Sequence, residues 1–212
     1  PAFAVGRAQH MLHILAELRE AKLTPHVPVF LDSPMSINAT ELYERYKHEH
    51  ALTALETRRM CDVATYCRTA DESKALVRLA EPKIIISASG MATGGRILHH
   101  LKQYLPRAAN TVLFVGFQSA GTRGRSLVDG VDEIKIHGAY VPVRAHVEVV
   151  EALSAHADYR ETIDWLRESE LSPRKVFVTH GEPAAADAMR RRLVDAFGWD
   201  VCVPEDGSHW VL

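Results

Sequence analysis

Two short segments set a histidine where a strand should give way to a helix: Leu153-Ser154-Ala155-His156-Ala157-Asp158 and Phe177-Val178-Thr179-His180-Gly181-Glu182. An imidazole in such a place can move a proton near neutral pH or ligate a metal. Ligands of open α/β sheets gather beyond the carboxyl ends of strands, which favours His180, at the end of a β-branched run. A histidine that caps the following helix or packs under the loop would look the same in sequence. For His156, either Ser154 or Asp158 is a candidate orienting partner.

The stretch Ser87-Ala88-Ser89-Gly90-Met91-Ala92-Thr93-Gly94-Gly95 is rich in glycine and precedes a helical segment, so its amides and the helix start suit a phosphate. It matches neither GxxxxGK[ST] nor GxGxxG, and a plain tight turn fits it equally well. Gly121-Thr122-Arg123-Gly124-Arg125 adds two guanidinium groups beside a flexible backbone, a second place for a phosphate or simply two solvated arginines.

The other histidines carry less. His10 and His13 share a helical face with no acidic ligand nearby, and His48-Glu49-His50 lies in a charged stretch. His99 and His100 are consecutive on a helix and cannot both face one metal. Arg190-Arg191-Arg192 reads as a solvated helix face. Asp32-Ser33-Pro34 suits a cleft wall or a helix cap. The sequence contains no HExxH, CxxC or HxHxDH.

The elements that must position these residues alternate. Apolar spacing over 6–22 predicts an amphipathic helix; 27–31 a strand; 36–50 a helix. Residues 51–63 are ambiguous, 65–67 suggest a short strand, and Asp71-Glu72-Ser73 caps a helix through Leu79. The run Lys83-Ile84-Ile85-Ile86-Ser87 is typical of a buried parallel strand, followed by the glycine-rich loop and a helix through Leu105. The same order recurs at 111–115, with a short helix near Leu127, and predicts two adjoining parallel strands. Residues 133–136 and 141–149 alternate as strands with one exposed face. A helix at 159–168, a strand at 175–179, a helix at 184–197 and a strand at 201–203 restore α/β order.

Composition sets the bounds. A chain of 212 residues, 47% hydrophobic and 25% charged, is ordinary for a globular protein and excludes fibrous and disordered classes. The formal charge of −2 means that any nucleic-acid binding comes from a local basic cleft. Cys61, Cys67 and Cys202 form no disulfide framework, which fits a reducing compartment. No apolar run reaches the roughly 18 residues of a membrane span, and Pro1-Ala2-Phe3 lacks the order of a signal peptide, so a cytoplasmic protein with no membrane partner is expected.

Five motifs in order carry a resemblance over nearly the whole chain: Phe3-Ala4-Val5-Gly6-Arg7-Ala8-Gln9, Phe30-Leu31-Asp32-Ser33-Pro34-Met35, residues 87–95, Ser154-Ala155-His156-Ala157-Asp158 and Thr179-His180-Gly181-Glu182. Together they resemble the β-CASP family of metallo-β-lactamase-fold ribonucleases, bacterial and archaeal RNA-processing exonucleases in particular. The endonuclease subunit of the eukaryotic cleavage and polyadenylation specificity factor is similar. The resemblance implies an α/β fold with a mainly parallel β-CASP sheet flanked by helices, over 1–147, and a return segment of the metallo-β-lactamase domain, the RNA-specificity region, over 148–212. By the same resemblance His156 contacts the scissile phosphate and protonates the leaving group, and His180 ligates one of two zinc ions. The loops resemble walls that grip single-stranded RNA by its backbone, through Ser89, Gly90, Thr93, Gly94, Gly95, Thr122, Arg123, Arg125 and Ser154.

Family members carry HxHxDH, a further histidine, a bridging aspartate and a further acid upstream of the segment that resembles Pro1, and this sequence has none of them. The expectation is a fragment or truncated product of a zinc ribonuclease, inactive and without stably bound zinc on its own. Exposed apolar surface where the missing half would pack predicts self-association. A non-catalytic RNA-binding or dimerisation module is the alternative.

Overall fold

The apolar spacing at the start of the chain becomes helix α1 (Arg7–Glu20), which buries Ala8, Leu12 and Ala16. A computed structural model describes residues 1–210 and divides into two units, Pro1–Ser154 and a second from Ala155 onward. In the first, β1 (Val29–Leu31) leads to α2 (Pro34–Arg45), α3 (Ala54–Asp62), β2 (Thr65–Tyr66), α4 (Ala70–Arg78) and β3 (Ile84–Ile86). These strands form a parallel sheet in the order β2-β1-β3. Helix α5 (Ile97–Tyr104), β4 (Thr111–Phe114), α6 (Arg123–Val128), β5 (Glu133–Ile136), β6 (Ala139–Pro142) and β7 (His146–Val149) complete the unit. The result is the expected α/β arrangement of parallel strands flanked by helices.

Local chemistry explains most boundaries. Ser33 caps α2 by accepting from the Ser36 amide, with Pro34 at the first helical position, so the cap reading of this stretch holds for Ser33. The ambiguous 51–63 stretch is helical because Thr53 and Glu56 close a capping box. For α4 the cap is Thr69, with Glu72 as its reciprocal partner, two residues earlier than Asp71. β5 and β6 form a hairpin whose two turn residues, His137 and Gly138, both have positive φ, 48° and 79°. That is the mirror-image turn matching the twist of paired strands.

Two expectations need correction. The run 141–149 is not one strand: Pro142 ends β6, and the amides of Arg144 and Ala145 both turn onto the Leu105 carbonyl at the end of α5 before β7 begins. β3 and β4 do not adjoin: among the described residues β3 pairs only with β1, and β4 pairs in parallel with β7. Accordingly the unit holds two hydrophobic clusters. One surrounds Leu105, Phe114 and Ile136; the other surrounds Leu12, Leu31, Ile37 and Met60.

In the second unit, α7 (Tyr159–Glu168), β8 (Val176–Phe177), α8 (Pro183–Phe197) and β9 (Val201–Cys202) enclose a smaller core of Ile163, Leu193 and Val201, with β8 parallel to β9. Arg190 and Arg191 pair with Asp187, and Arg192 lies 3.8 Å from the Tyr159 ring centre, so this basic run finds partners within its own unit. The three cysteines are unbridged. No helix among the described residues is long and apolar enough to cross a membrane.

Candidate functional site

Asp32 stands at the carboxyl end of β1 and is completely buried. Its Oδ1 accepts from the Arg96 guanidinium at 2.7 Å, while Oδ2 lies 2.6 Å from His100 Nε2 and 2.5 Å from the donating Ser73 hydroxyl. Burial alone would push the carboxyl up, but the hydrogen bonds of His100, Ser73 and Arg96 together outweigh it and hold Asp32 below the usual aspartate range. Arg96 also donates to the Cys67 and Arg68 carbonyls, both at 2.9 Å. The Asp32 carbonyl accepts from the Ser87 hydroxyl at 2.8 Å. Both ends of the glycine-rich loop, Ser87 and Arg96, are therefore tied to one buried acid.

Inside the loop, Ser89 Oγ accepts from the amides of Thr93 at 3.0 Å and Gly94 at 3.3 Å. Gly95 has φ of 76°, and a Cβ there would sit 2.5 Å from the Ala88 carbonyl oxygen, so only glycine closes this turn. The second loop is joined to the first by the Gly124 amide, which donates to the Met91 carbonyl at 2.9 Å. A Cβ at Gly124 would collide with the Gln118 side-chain oxygen. Buried Gln118 in turn donates through Nε2 to the Gly90 carbonyl at 3.1 Å. Arg123 lies across both loops, donating to the Thr93 carbonyl at 3.3 Å and the Lys135 carbonyl at 2.7 Å.

The structure thus brings together Ser89, Gly90, Thr93, Gly94, Gly95, Thr122 and Arg123. Thr122 caps α6, its hydroxyl accepting from the Arg125 amide at 3.1 Å. Arg125 is exposed and pairs with Asp129 at 2.9 Å. Ser154 is exposed at the end of this unit. His156 and His180 are exposed in the second unit. Asp158 caps α7, accepting from the amides of Arg160 at 2.7 Å and Glu161 at 2.9 Å, and those backbone bonds lower its pKa. His180 follows β8 with φ of 64°, a left-handed backbone uncommon outside glycine. Among the described residues, no group of three histidine, cysteine, aspartate or glutamate side chains could hold a metal ion. The described residues do not make a zinc site by themselves.

The sequence left Arg96 and Gln118 unmarked, offered Ser73 only as part of a helix cap and His100 only as half of a pair unfit for one metal, and left Asp32 as a cleft wall or cap. One signal was available: Arg96 and His100 stand four residues apart directly after the loop, a spacing that aims both at one partner.

Residues 8–127 match the Beta-Casp domain, and residues 140–204 match the Zn-dependent metallo-hydrolase RNA specificity domain. The chain belongs to the β-CASP family of metallo-β-lactamase-fold ribonucleases. It is 38% identical over 200 residues to Ribonuclease TTHA0252 of Thermus thermophilus, covering 91% of this chain and 45% of that protein. It is 37% identical over 186 residues to the RNase J-like protein of Methanocaldococcus jannaschii, covering 86% and 42%. With transcription termination factor FttA of Methanosarcina mazei it shares 30% identity over 198 residues, covering 87% and 31%. The chain spans less than half the length of these relatives.

Proposed function

We propose that this chain supplies the RNA-holding face and two functional histidines of a zinc-dependent ribonuclease of RNA processing or decay, acting in the cytoplasm. The braced pair of loops carries the reading. Ser89 Oγ accepts two backbone amides in the manner of an anionic oxygen, and Arg123 is held where its charge reaches the same surface. RNA phosphates lie along Ser89, Gly90, Thr93, Gly94, Gly95, Thr122, Arg123 and Arg125, and Ser154 is a further RNA contact. The backbone of single-stranded RNA is gripped without base readout. His156 protonates the leaving oxygen, a role general acid catalysis assigns to an imidazole within reach. His180 is one zinc ligand of the complete enzyme, and its strained backbone is a feature that clusters at functional positions.

In this reading residues 1–147 form the β-CASP part and 148–212 the return segment. The other ligands of a two-zinc site come from the portion of the relatives' length that this chain does not span, so the chain alone neither retains zinc nor hydrolyses RNA.

Fluorescence anisotropy with a labelled single-stranded RNA tests the reading. Binding weakens as salt rises, with a slope of about −0.7 per neutralised phosphate in the double-logarithmic plot, and Arg123→Ala lowers that slope by about one contact. No binding at low salt would overturn the assignment of the loops. Zinc-stimulated cleavage by this chain alone, abolished in His156→Ala, would overturn its dependence on further ligands.

A further inference from the structure

After β4 the chain buries Phe114 and Val115 and then leaves Phe117 61% exposed, in a loop rather than on a strand. The backbone that carries this ring is firmly held. Gln118, itself buried, turns its side chain back and donates through Nε2 to the carbonyls of Gly116 at 2.9 Å, Phe117 at 3.0 Å and Gly90 at 3.1 Å. The Phe3 ring lies directly against Gly90 and Gly116, where an added Cβ would stand 2.8 and 3.0 Å from it. The same loop ends at Thr122, whose hydroxyl and amide both return to the Ser119 carbonyl, at 2.7 and 3.2 Å, and Arg123 follows. An apolar ring thus begins the loop whose far end carries Thr122 and Arg123. Tyr140, Tyr159 and Trp210 are also exposed, but each has a lysine or arginine over its ring. Phe117 has no ring or cation partner of that kind among the described residues.

We propose that Phe117 is a stacking platform for one base of the RNA whose phosphates the two loops hold. The inference rests on the RNA-binding reading of those loops and deepens it by naming the group that receives a nucleobase. A phosphate grip alone leaves the bases in water. A ring fixed on the same braced loops gives one of them an apolar face, and stacking of this kind accepts any base, because every base has a π face. It therefore fits a surface that holds RNA without reading base edges. The ring is also prepared for the contact. Phenylalanine has only two side-chain torsions, and Gln118 already holds its backbone, so little freedom is lost when a base settles on it. Gln118 is in this sense a positioning residue. Because the ring is uncharged, its contribution stands apart from counterion release: it changes affinity by the same factor at every salt concentration, whereas Arg123 changes the slope.

The test is fluorescence anisotropy with a labelled oligoadenylate over a salt series, comparing the chain with Phe117→Ala, Phe117→Leu and Phe117→Trp. Phe117→Ala should weaken binding about tenfold or more at every salt concentration and leave the double-logarithmic slope unchanged. Phe117→Leu should weaken it nearly as much, and Phe117→Trp should keep it. With an RNA of the same length made of abasic residues, the chain and Phe117→Ala should bind alike. Equal affinity of Phe117→Ala and the chain for oligoadenylate, with the salt slope present in both, overturns the platform and leaves the phosphate-holding loops standing. No binding by the unsubstituted chain at low salt overturns the reading of the loops, and the platform with it. Full binding by Phe117→Leu reduces the ring to an apolar contact and overturns stacking. A smaller slope in Phe117→Ala means that the ring acts by placing Arg123, and overturns it too. Loss of a sedimenting dimer in Phe117→Ala with RNA affinity unchanged overturns it in favour of a second copy on this ring. If Phe117→Ala does not fold, Phe117→Trp carries the test: its added indole emission should be quenched by oligoadenylate, and unchanged emission overturns the proposal.

Discussion

Asp32 is the residue on which the candidate site rests. Removing its side chain leaves the mostly buried Arg96 and the buried His100 without their acceptor, and Asp32→Ala should destabilise by about 3–5 kcal/mol in urea unfolding, the usual effect of orphaning a buried charge. Because the folded carboxyl titrates below its unfolded value of about 3.9, its stabilisation is complete above that pH and is lost as pH falls through the lower folded value. Asp32→Asn should flatten this acid limb of stability against pH. An unchanged limb would mean that other carboxylates dominate it.

At the scale of elements, the loop from Ser87 to Gly95 works because β3 and α5 hold its ends. Its glycines are not equivalent. Gly95→Ala forces a side chain against the Ala88 carbonyl at a positive φ and should cost about 1–3 kcal/mol. Gly94→Ala, where a Cβ meets nothing within 4 Å, should stay within about 0.5 kcal/mol of the parent. Thermal unfolding of the pair separates a turn closed by conformation from a merely flexible one; similar losses in both would contradict the geometry. Helix α6 gives a parallel case, since Thr122→Ala removes its cap at a cost of about 1 kcal/mol and Thr122→Ser retains it. A hydroxyl assigned to RNA contact is thus already a structural group, and binding assays on Thr122 need the serine variant as control.

At the scale of the whole molecule, several large apolar side chains are exposed. Val5 is 66% exposed, Met35 65%, Phe117 61% and Trp165 65%, apolar side chains that a second copy can cover. Sedimentation equilibrium should show reversible self-association over about 10–100 µM; a strict monomer across that range would count against it.

The amino-acid sequence by itself determined most of the elements and the family, and nominated residues fit for chemistry, because caps, β-branched runs and glycine turns act over three to five residues. Ser33 with Pro34 and Ile84 to Ile86 announce themselves locally, whereas the capping box of Thr53 and Glu56 emerged only with helix α3. Ranking of the histidines was not local: His100 looked like half of an idle pair, and its partner Asp32 lies 68 residues away. The sequence likewise showed two strand-loop-helix units but not that their strands stand apart, since strand neighbours are chosen by edge pairing and core packing across the whole unit. Only the tertiary structure decided that one buried acid ties both ends of the loop, and that β3 and β4 take different strand partners. Both depend on contacts between distant residues, whose free energy no local pattern records.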